Sequence, residues 1–320
     1  MRVRKVCILG GTGFVGRHIA NRLADTSIEK RVLTRHRERN KHLLPIPNLK
    51  LTEGDVHDEK TLLRELEGCD AVINLVGVLN ESRKAGEGFE DAHVKLVNKI
   101  LDAARQAGVK RYLHMSSLGA GPDAPSRYQK TKAQGEAAAR EAHGGDLAVT
   151  IFQPSVIFGP EDSFLNQFAL MLRMAPGIFP LPTPGARFKP VYVGDVAEAF
   201  VKSLGDRDTF GQTYQLCGPR VYSLKQLVDY TAELIGTDKL VWGLSDGLSR
   251  LQARVLQLVP GKPYTYDNYL SSTVDNICTE DGLASLGISP TALEAVAPAY
   301  LGGRTPRGRY DEFRKQAHRG

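Results

Sequence analysis

Nine residues into the chain an apolar run breaks on a cluster of glycines. The stretch "ILGGTGFVGRHIANRL" sets Gly10, Gly13 and Gly16 with two residues between each, and Gly11 also completes a G-x-G-x-x-G. Glycines at these steps let a strand turn sharply into a helix, with backbone N–H groups free to approach a pyrophosphate at the helix N-terminus. Such a string is weak alone. Here it follows the first strand and opens the first helix, the position that a dinucleotide-binding turn requires.

The pattern that follows agrees with that start. Up to Phe158, short β-branched runs alternate with helical stretches, which marks stacked βαβ units on a parallel sheet. The expected strands are "VRKVCILG", "KRVLTR", "LKLTEGD", "DAVINLVG", "VKRYLHMSS" and "LAVTIFQPSVIF". Helices are expected between them, including Phe14 to Asp25 and Phe89 to Ala107, the latter closed by Gly108. After Gly159 the segment "APGIFPLPTPGARFKPVYV" is rich in proline and glycine. "PVYVGDVAEAFVKSL", Pro190 to Leu204, reads as a strand and helix returning to the main domain. The expectation is an α/β chain: a Rossmann-like doubly wound parallel sheet with a smaller C-terminal α/β substrate-side region. Residues 1–160, completed by 188–218, form the nucleotide-binding domain; 161–187 and 219–303 form the smaller region; 304–320 are a basic tail.

No apolar run approaches the ~18 residues of a spanning helix, so a soluble or peripheral protein is expected. The four cysteines, Cys7, Cys69, Cys217 and Cys278, are scattered, without disulfide density or zinc spacing. That pattern suits a reducing cytoplasm, and no metal site is expected. The net charge of +6 is concentrated in "KRVLTRHRERNKH" and in the tail from Arg304.

Sites preferring NAD usually end the second strand with an acid on the ribose 2′-hydroxyl, but this chain has Arg35 there. An arginine fork suits a 2′-phosphate, and Arg17 follows the last glycine closely enough to share it. NADP(H) is expected, with NAD(H) as the second choice. Arg37, Arg39 and Lys41 include solvated surface charges. Asp55 ends the third strand, where it either accepts from an adenine amino group or forms a turn. The candidate cofactor-binding set is Gly10, Thr12, Gly13, Phe14, Val15, Gly16, Arg17, Arg35, Asp55, Val56, Val76, Gly77, Tyr128, Lys132 and Pro154.

Further along, "RYQKTKAQGE" places Tyr128 and Lys132 at i and i+4 of a helix beginning near Ser126, on one face. A phenol ionises near pH ~10, and an adjacent ammonium with an oxidised nicotinamide lowers that value. So tuned, it can give a proton to a carbonyl oxygen as hydride arrives, or remove one in reverse. "HMSSLGA" supplies Ser116 and Ser117 at the carboxyl end of the fifth strand, and Ser117 is the better candidate to orient that oxygen.

In their order, "GGTGFVG", "SS" and "YQKTK" resemble the extended or atypical branch of the short-chain dehydrogenase/reductase superfamily. "QPSVIFGPEDSFLNQFA", "KPVYVGDVAEAF" and "GQTYQLCGPRVYSLKQLV" resemble a narrower group, the nucleotide-binding accessory subunits of respiratory complex I and their free-standing bacterial relatives. That resemblance implies a Rossmann domain with a small C-terminal domain and tightly bound NADPH. By it, Gly10, Gly13, Gly16, Arg17 and Arg35 match the cofactor motif, and Ser117, Tyr128 and Lys132 the catalytic positions. Gln153 stands before Pro154 where many extended members have arginine, which speaks against a sugar-nucleotide substrate, and "NLVG", Asn74 to Gly77, replaces the small-residue motif common after the fourth strand in other branches. Two functions stay open. One is an oxidoreductase, or related lyase or isomerase, acting on an unidentified small molecule such as a quinone or carbonyl compound. The other is a non-catalytic NADPH-binding assembly or accessory protein linked to respiratory complex I or quinone biosynthesis.

His93 and His114 lack metal-site company and read as packing or surface residues. Leu244, Leu248, Leu251, Val255 and Leu258 form one helical stripe. That stripe either packs inward or, with Arg304, Arg307, Arg309, Arg314 and Lys315 of the tail, lies on an anionic membrane or against a membrane complex. The expected location is cytoplasmic, with peripheral attachment at the inner face of the membrane. The basic residues lack interleaved aromatics, so no nucleic-acid partner is expected.

Overall fold

The computed structural model describes residues 1–81, 88–259 and 262–302; the tail, 304–320, lies outside them. In chain order the elements begin β1 (Lys5–Leu9), α1 (Phe14–Arg22), β2 (Glu29–Thr34), β3 (Leu49–Glu53), α2 (Glu59–Leu66), β4 (Ala71–Asn74), α3 (Leu96–Gln106), β5 (Arg111–Met115), α4 (Arg127–Glu141) and β6 (Ala148–Pro154). They continue with β7 (Ile157–Phe158), α5 (Leu165–Met174), β8 (Ile178–Leu181), β9 (Arg187–Phe188), β10 (Val191–Tyr192), α6 (Val193–Ser203), β11 (Thr213–Leu216) and β12 (Tyr222–Ser223). The last are α7 (Leu224–Leu234), β13 (Leu240–Gly243), α8 (Asp246–Leu256), α9 (Tyr266–Ser271), α10 (Gly282–Ser285) and α11 (Leu293–Leu301).

The chain divides into two units. Unit one comprises Met1–Pro154, Gly194–Leu216 and Cys278–Ser289. Its seven strands run in the order β11-β6-β5-β4-β1-β2-β3, every pair parallel. This is the doubly wound order, whose direction reverses between β1 and β4, where such sheets place their ligands. Near-continuous apolar strands such as Val6 to Leu9 and Ala71 to Ile73 are wholly buried, as a sheet covered on both faces requires. Local chemistry sets the helix ends. Asp58 accepts from the Thr61 N–H at 3.0 Å to start α2, and Ser126 accepts from the Gln129 N–H at 3.1 Å to start α4. Gly108, at φ +70°, ends α3 as the sequence anticipates.

Two details differ from the sequence reading. The seventh strand is β11, whereas the "PVYV" run forms only the two-residue β10, which pairs with β7. The helix expected from Phe89 does begin there, but residues Asp91–Lys95 widen into a π turn before α3. Arg111 stitches the later segment into unit one: wholly buried, it donates to the Ser203 carbonyl at 2.8 Å and the Thr209 hydroxyl at 2.9 Å.

Unit two comprises Ser155–Val193, Cys217–Ile277 and Pro290–Gly320, of which the described part ends at Gly302. It holds the strand pairs β7–β10, β9–β12 and β8–β13. One apolar cluster joins Phe158, Leu165, Leu227 and Leu301, and another joins Leu172, Val228 and Val241. A capping box of Ser223 and Gln226 starts α7. Cys7 and Cys69 are buried free thiols, but Cys217 and Cys278 are disulfide-bonded, which does not fit the reducing compartment expected from the scattered cysteines.

Gly135 of α4 supplies a test of the packing. A β-carbon there would lie 2.1 Å from the His93 carbonyl oxygen on the π turn. Alanine gains about 1 kcal/mol over glycine in helix propensity, but overpacking against backbone costs about 1–3 kcal/mol. Gly135→Ala should therefore lower the thermal unfolding midpoint. A midpoint at or above wild type would show that α4 and the π turn are not held at this distance.

Candidate functional site

The first turn is built by omission of side chains. Gly10 adopts φ +79°, a conformation that L-residues rarely take, and the Gly13 N–H donates to its carbonyl at 3.0 Å. A β-carbon at Gly16 would meet the Gly10 oxygen and Gly11 Cα at 2.5 Å, and one at Gly11 would meet Val32 Cγ1 at 2.8 Å. Helix α1 can therefore begin directly against β1. No side chain caps it and no acid lies in its first turn, which leaves its N-terminal dipole uncompensated and suited to an anion. Val15 is buried, whereas Thr12 and Phe14 are half-buried. A β-carbon at Gly10 would come within 3.2 Å of Val76 N, so the turn rests on the backbone leaving β4.

At the end of β2, Arg35 is exposed and Arg17 on α1 is half-buried. Their neighbours are committed locally. The Arg37 N–H donates to Glu53 Oε2 at 3.0 Å, its Nε donates to the Leu51 carbonyl at 3.3 Å, and both Arg37 and Lys41 pair with Glu38. Asp55, exposed beyond β3 and next to half-buried Val56, accepts from the His57 N–H at 3.0 Å. One carboxylate oxygen thus makes the turn contact, the bland alternative for this residue.

Tyr128 and Lys132 share a face of α4. The Lys132 ammonium is 6% exposed and donates to the Met115 carbonyl, at the end of β5, at 2.7 Å. Burial pushes its pKa down to about 8 from the usual 10.5, with Glu136 acting the other way. Burial also raises the Tyr128 phenol above its ordinary value, and the neighbouring Ser117 hydroxyl opposes that rise. Yet neither Ser117 Oγ nor Ser116 Oγ, both buried, completes a well-formed hydrogen bond. Buried hydroxyls are normally paired, and leaving one unpaired costs about 1–3 kcal/mol.

These pieces converge. A β-carbon on Gly77 would lie 3.8 Å from Lys132 Nζ and 3.5 Å from His93 Nε2. The Ser116 and Leu118 N–H groups donate to the Phe152 and Pro154 carbonyls, tying the serines to the end of β6. The glycine turn, Val76, Gly77, Lys132, Ser116, Ser117 and Pro154 thus follow one another along the carboxyl ends of β1, β4, β5 and β6. Arg35 and Asp55 lie beyond the ends of β2 and β3. Gln153 donates to both oxygens of Glu136, at 3.0 and 2.8 Å, and Arg140 donates to Glu136 Oε1 at 2.8 Å.

His93 is more than packing. Its Nε2 accepts from the Val78 N–H at 3.1 Å, and its Nδ1 lies 3.0 Å from Thr131 Oγ1. The Thr131 hydroxyl donates to the Arg127 and Tyr128 carbonyls, so Nδ1 carries the proton that it accepts. His93 therefore ties the loop after β4 to the helix bearing Tyr128, whose ring it meets edge-on at 5.4 Å. Burial, and then the Lys132 charge, drive its pKa down to about 3, which keeps it neutral. His114 is buried on β5 against the Tyr112 hydroxyl at 3.2 Å and is likewise held neutral. Nothing in the sequence pairs His93 with a threonine 38 positions away. Among the described residues no metal-ligating cluster is present.

The glycine cradle, the bare start of α1 and the unpaired serine hydroxyls fit a nicotinamide dinucleotide. Comparison with known proteins points the same way. Residues 6–217 match the NAD dependent epimerase/dehydratase family. Subunit 9 of the NADH dehydrogenase [ubiquinone] 1 alpha subcomplex, mitochondrial, from Mus musculus is 30% identical over 300 residues, which are 90% of this chain and 77% of that protein. The ceramide reductase of Caulobacter vibrioides is 30% identical over 197 residues, 61% of this chain and 59% of that protein. The NADPH-dependent quinone oxidoreductase QOR2 of Escherichia coli, solved with NADPH, superposes with a TM-score of 0.72 at 18% identity, covering 91% of this chain and 98% of that one. That likeness concerns the fold alone. The family match spans most of unit one's strands and the whole glycine turn, and the chain belongs to the NAD dependent epimerase/dehydratase family within the short-chain dehydrogenase/reductase superfamily.

Proposed function

We propose that the protein binds NADP(H) on unit one and reduces a carbonyl or quinone oxygen on a hydrophobic small molecule, reversibly in principle. The observation that carries this reading is the pair of buried, unpaired hydroxyls at Ser116 and Ser117, beside a phenol and an ammonium. A substrate oxygen would complete them. When bound, the nicotinamide supplies the hydride. The protein's part is proton and position: Ser117 orients the oxygen, Tyr128 gives it a proton, and Lys132 stabilises the negative charge left on the phenol. Arg35, with Arg17, holds the 2′-phosphate that distinguishes NADP(H). We place this work at the surface of a membrane, where hydrophobic quinones and ketones reside; among the described residues no helix is long and apolar enough to cross one.

A second reading has its own support, the 30% identity over 90% of the chain to a respiratory-complex subunit. Under it the nucleotide is a structural element and turnover is absent. Tyr128→Phe separates the two. It should leave NADPH affinity nearly unchanged while slowing quinone or ketone reduction by about 10²–10⁴-fold, the usual contribution of a general acid. Retained turnover in the variant would remove Tyr128 from the chemistry. Cofactor choice is tested apart from turnover: Arg35→Ala should weaken NADP(H) by about 1.5–3 kcal/mol and NAD(H) far less. Equal losses would make Arg35 a structural residue.

The pKa shifts set the pH behaviour. Reduction needs Tyr128 protonated, and burial holds it so through neutral pH. It also needs the Lys132 ammonium, which is lost as pH rises through about 8. The rate constant for the reductive step should therefore be flat near neutrality and fall above pH 8; a flat profile to pH 10 contradicts the assignment.

Lys132 also has a stability signature. Its pKa is lower folded than unfolded, so the unfolded chain binds its proton more tightly. The buried ammonium then destabilises the fold below pH 8, and this penalty fades as pH rises from about 8 to 10.5. The shift corresponds to about 3 kcal/mol, partly offset by the hydrogen bond to Met115. Nucleotide-free Lys132→Met should be more stable than wild type at pH 7 by roughly 1 kcal/mol, and the gain should shrink at pH 10. Clear destabilisation at pH 7 would instead assign the lysine a structural role.

A further inference from the structure

Unit two carries an apolar face that its own core does not use. In the strand pair β8–β13, Ile178 lies opposite Leu240 and Pro180 opposite Trp242, and all four are exposed. The alternate residue Val241 is buried in the core, so the pair turns one apolar side inward and one outward. Helix α8 continues that outward face. Its buried residues are Ser249 and Ala253, with Ser249 Oγ accepting from the Thr183 N–H at 3.1 Å. The sequence left the direction of the leucine stripe open and ran it from Leu244 to Leu258 on one helix; α8 carries only Leu248, Leu251 and Val255 of it, all exposed, with Leu251 58% and, just past the helix end, Leu258 82% exposed, while Leu244 precedes the helix and is half-buried. Gln252 donates to the Pro180 carbonyl at 3.2 Å, and Leu248 and Val255 lie one turn either side of it. The stripe therefore adjoins β8, and strand pair and helix form one surface.

We infer that this surface docks on an anionic lipid bilayer. The chain's single tryptophan, Trp242, stands in it 56% exposed, and an indole with one apolar and one polar edge is suited to the membrane–water interface. Charge selects the occupant. Arg254, three residues after Leu251 and beside it on α8, lies over the Tyr266 ring at 5.3 Å, and exposed Arg173 is one residue before exposed Met174. Neither arginine forms an ion pair among the described residues. A second copy of the chain, set on the same face by a two-fold axis, would bring these cations against their own kind. Anionic headgroups meet both demands, with lipid for the leucines and negative charge for the arginines.

This surface gives substance to the peripheral location proposed above and rests on that reading, not on the nucleotide chemistry. With one tryptophan in the chain, the full-length protein reports its own docking. Vesicles of phosphatidylcholine with about one third phosphatidylglycerol should shift the Trp242 emission to the blue, while phosphatidylcholine alone should bind far more weakly. Leu251→Ser with Leu258→Ser changes only exposed side chains and should lower the partition coefficient about tenfold or more, leaving thermal unfolding and NADP(H) affinity as in wild type. Three results would overturn the inference: no emission shift with anionic vesicles at low salt; binding as tight in the double variant as in wild type, which leaves the tail alone as the anchor; or concentration-dependent dimers that the double variant abolishes. NADP(H) titration of the same samples tests the nucleotide reading independently.

Discussion

Unit one depends on two places where backbone meets backbone with no side chain between. At the first, Gly16 lies so close to Gly10 and Gly11 that a single added carbon would sit 2.5 Å from their atoms. This lets α1 start at the end of β1 and aims its N–H groups into the crevice between β1 and β4. At the second, Gly135 lies against the His93 carbonyl, which fixes α4 across the π turn and brings Lys132 within reach of the end of β5. On the proposed reading, the first contact positions phosphates and the second positions proton chemistry. Both sacrifice helix propensity, since glycine inside a helix costs about 1 kcal/mol relative to alanine.

The electrostatics of the pocket follow from that closeness. Lys132 is a buried cation whose immediate partner is a neutral carbonyl. The nearby histidines cannot compensate it, because burial and the lysine's own charge keep both neutral. Glu136 is the carboxylate that raises its pKa, and that carboxylate is shared with Gln153 and Arg140. A buried charge held this way is costly for folding, so it points to use by something the chain binds. The unpaired serine hydroxyls point the same way through a different physical term, desolvation without a partner.

What the sequence disclosed is what residue type at fixed spacing can disclose. Glycine at three steps between a strand and a helix marks a tight turn, and i, i+4 places Tyr128 and Lys132 on one helical face without tertiary information. Arg35 was legible because the acid it replaces has a known place at the end of β2. The π turn was not, because it arises where α4 approaches through Gly135, more than 40 residues away. The role of His93 depends on Thr131 in the same way. Periodicity identified the α8 stripe but could not orient it, since an amphipathic helix reads the same whether its apolar side meets a core or a bilayer. The short strand β11 hid in a segment without a strong apolar run, and it is fixed by parallel pairing to β6.

On the proposed reading, burial also sets the direction of the chemistry. Removal from water disfavours charge on either group, raising the phenol and lowering the ammonium. Before substrate arrives, Tyr128 therefore holds its proton firmly and is prepared as an acid, the state that reduction consumes. Oxidation would begin from a phenolate that this pocket stabilises only through Lys132, which is charged below about pH 8, where a phenol resists ionisation most. The two requirements oppose each other in the oxidative direction and agree in the reductive one. A site meant only to hold a nucleotide needs the glycine turn and Arg35; it gains nothing from a buried ammonium beside a phenol and two unpaired hydroxyls. Those groups destabilise the empty fold, and the proposed transfer of a proton to an oxygen bound between them would offset that cost.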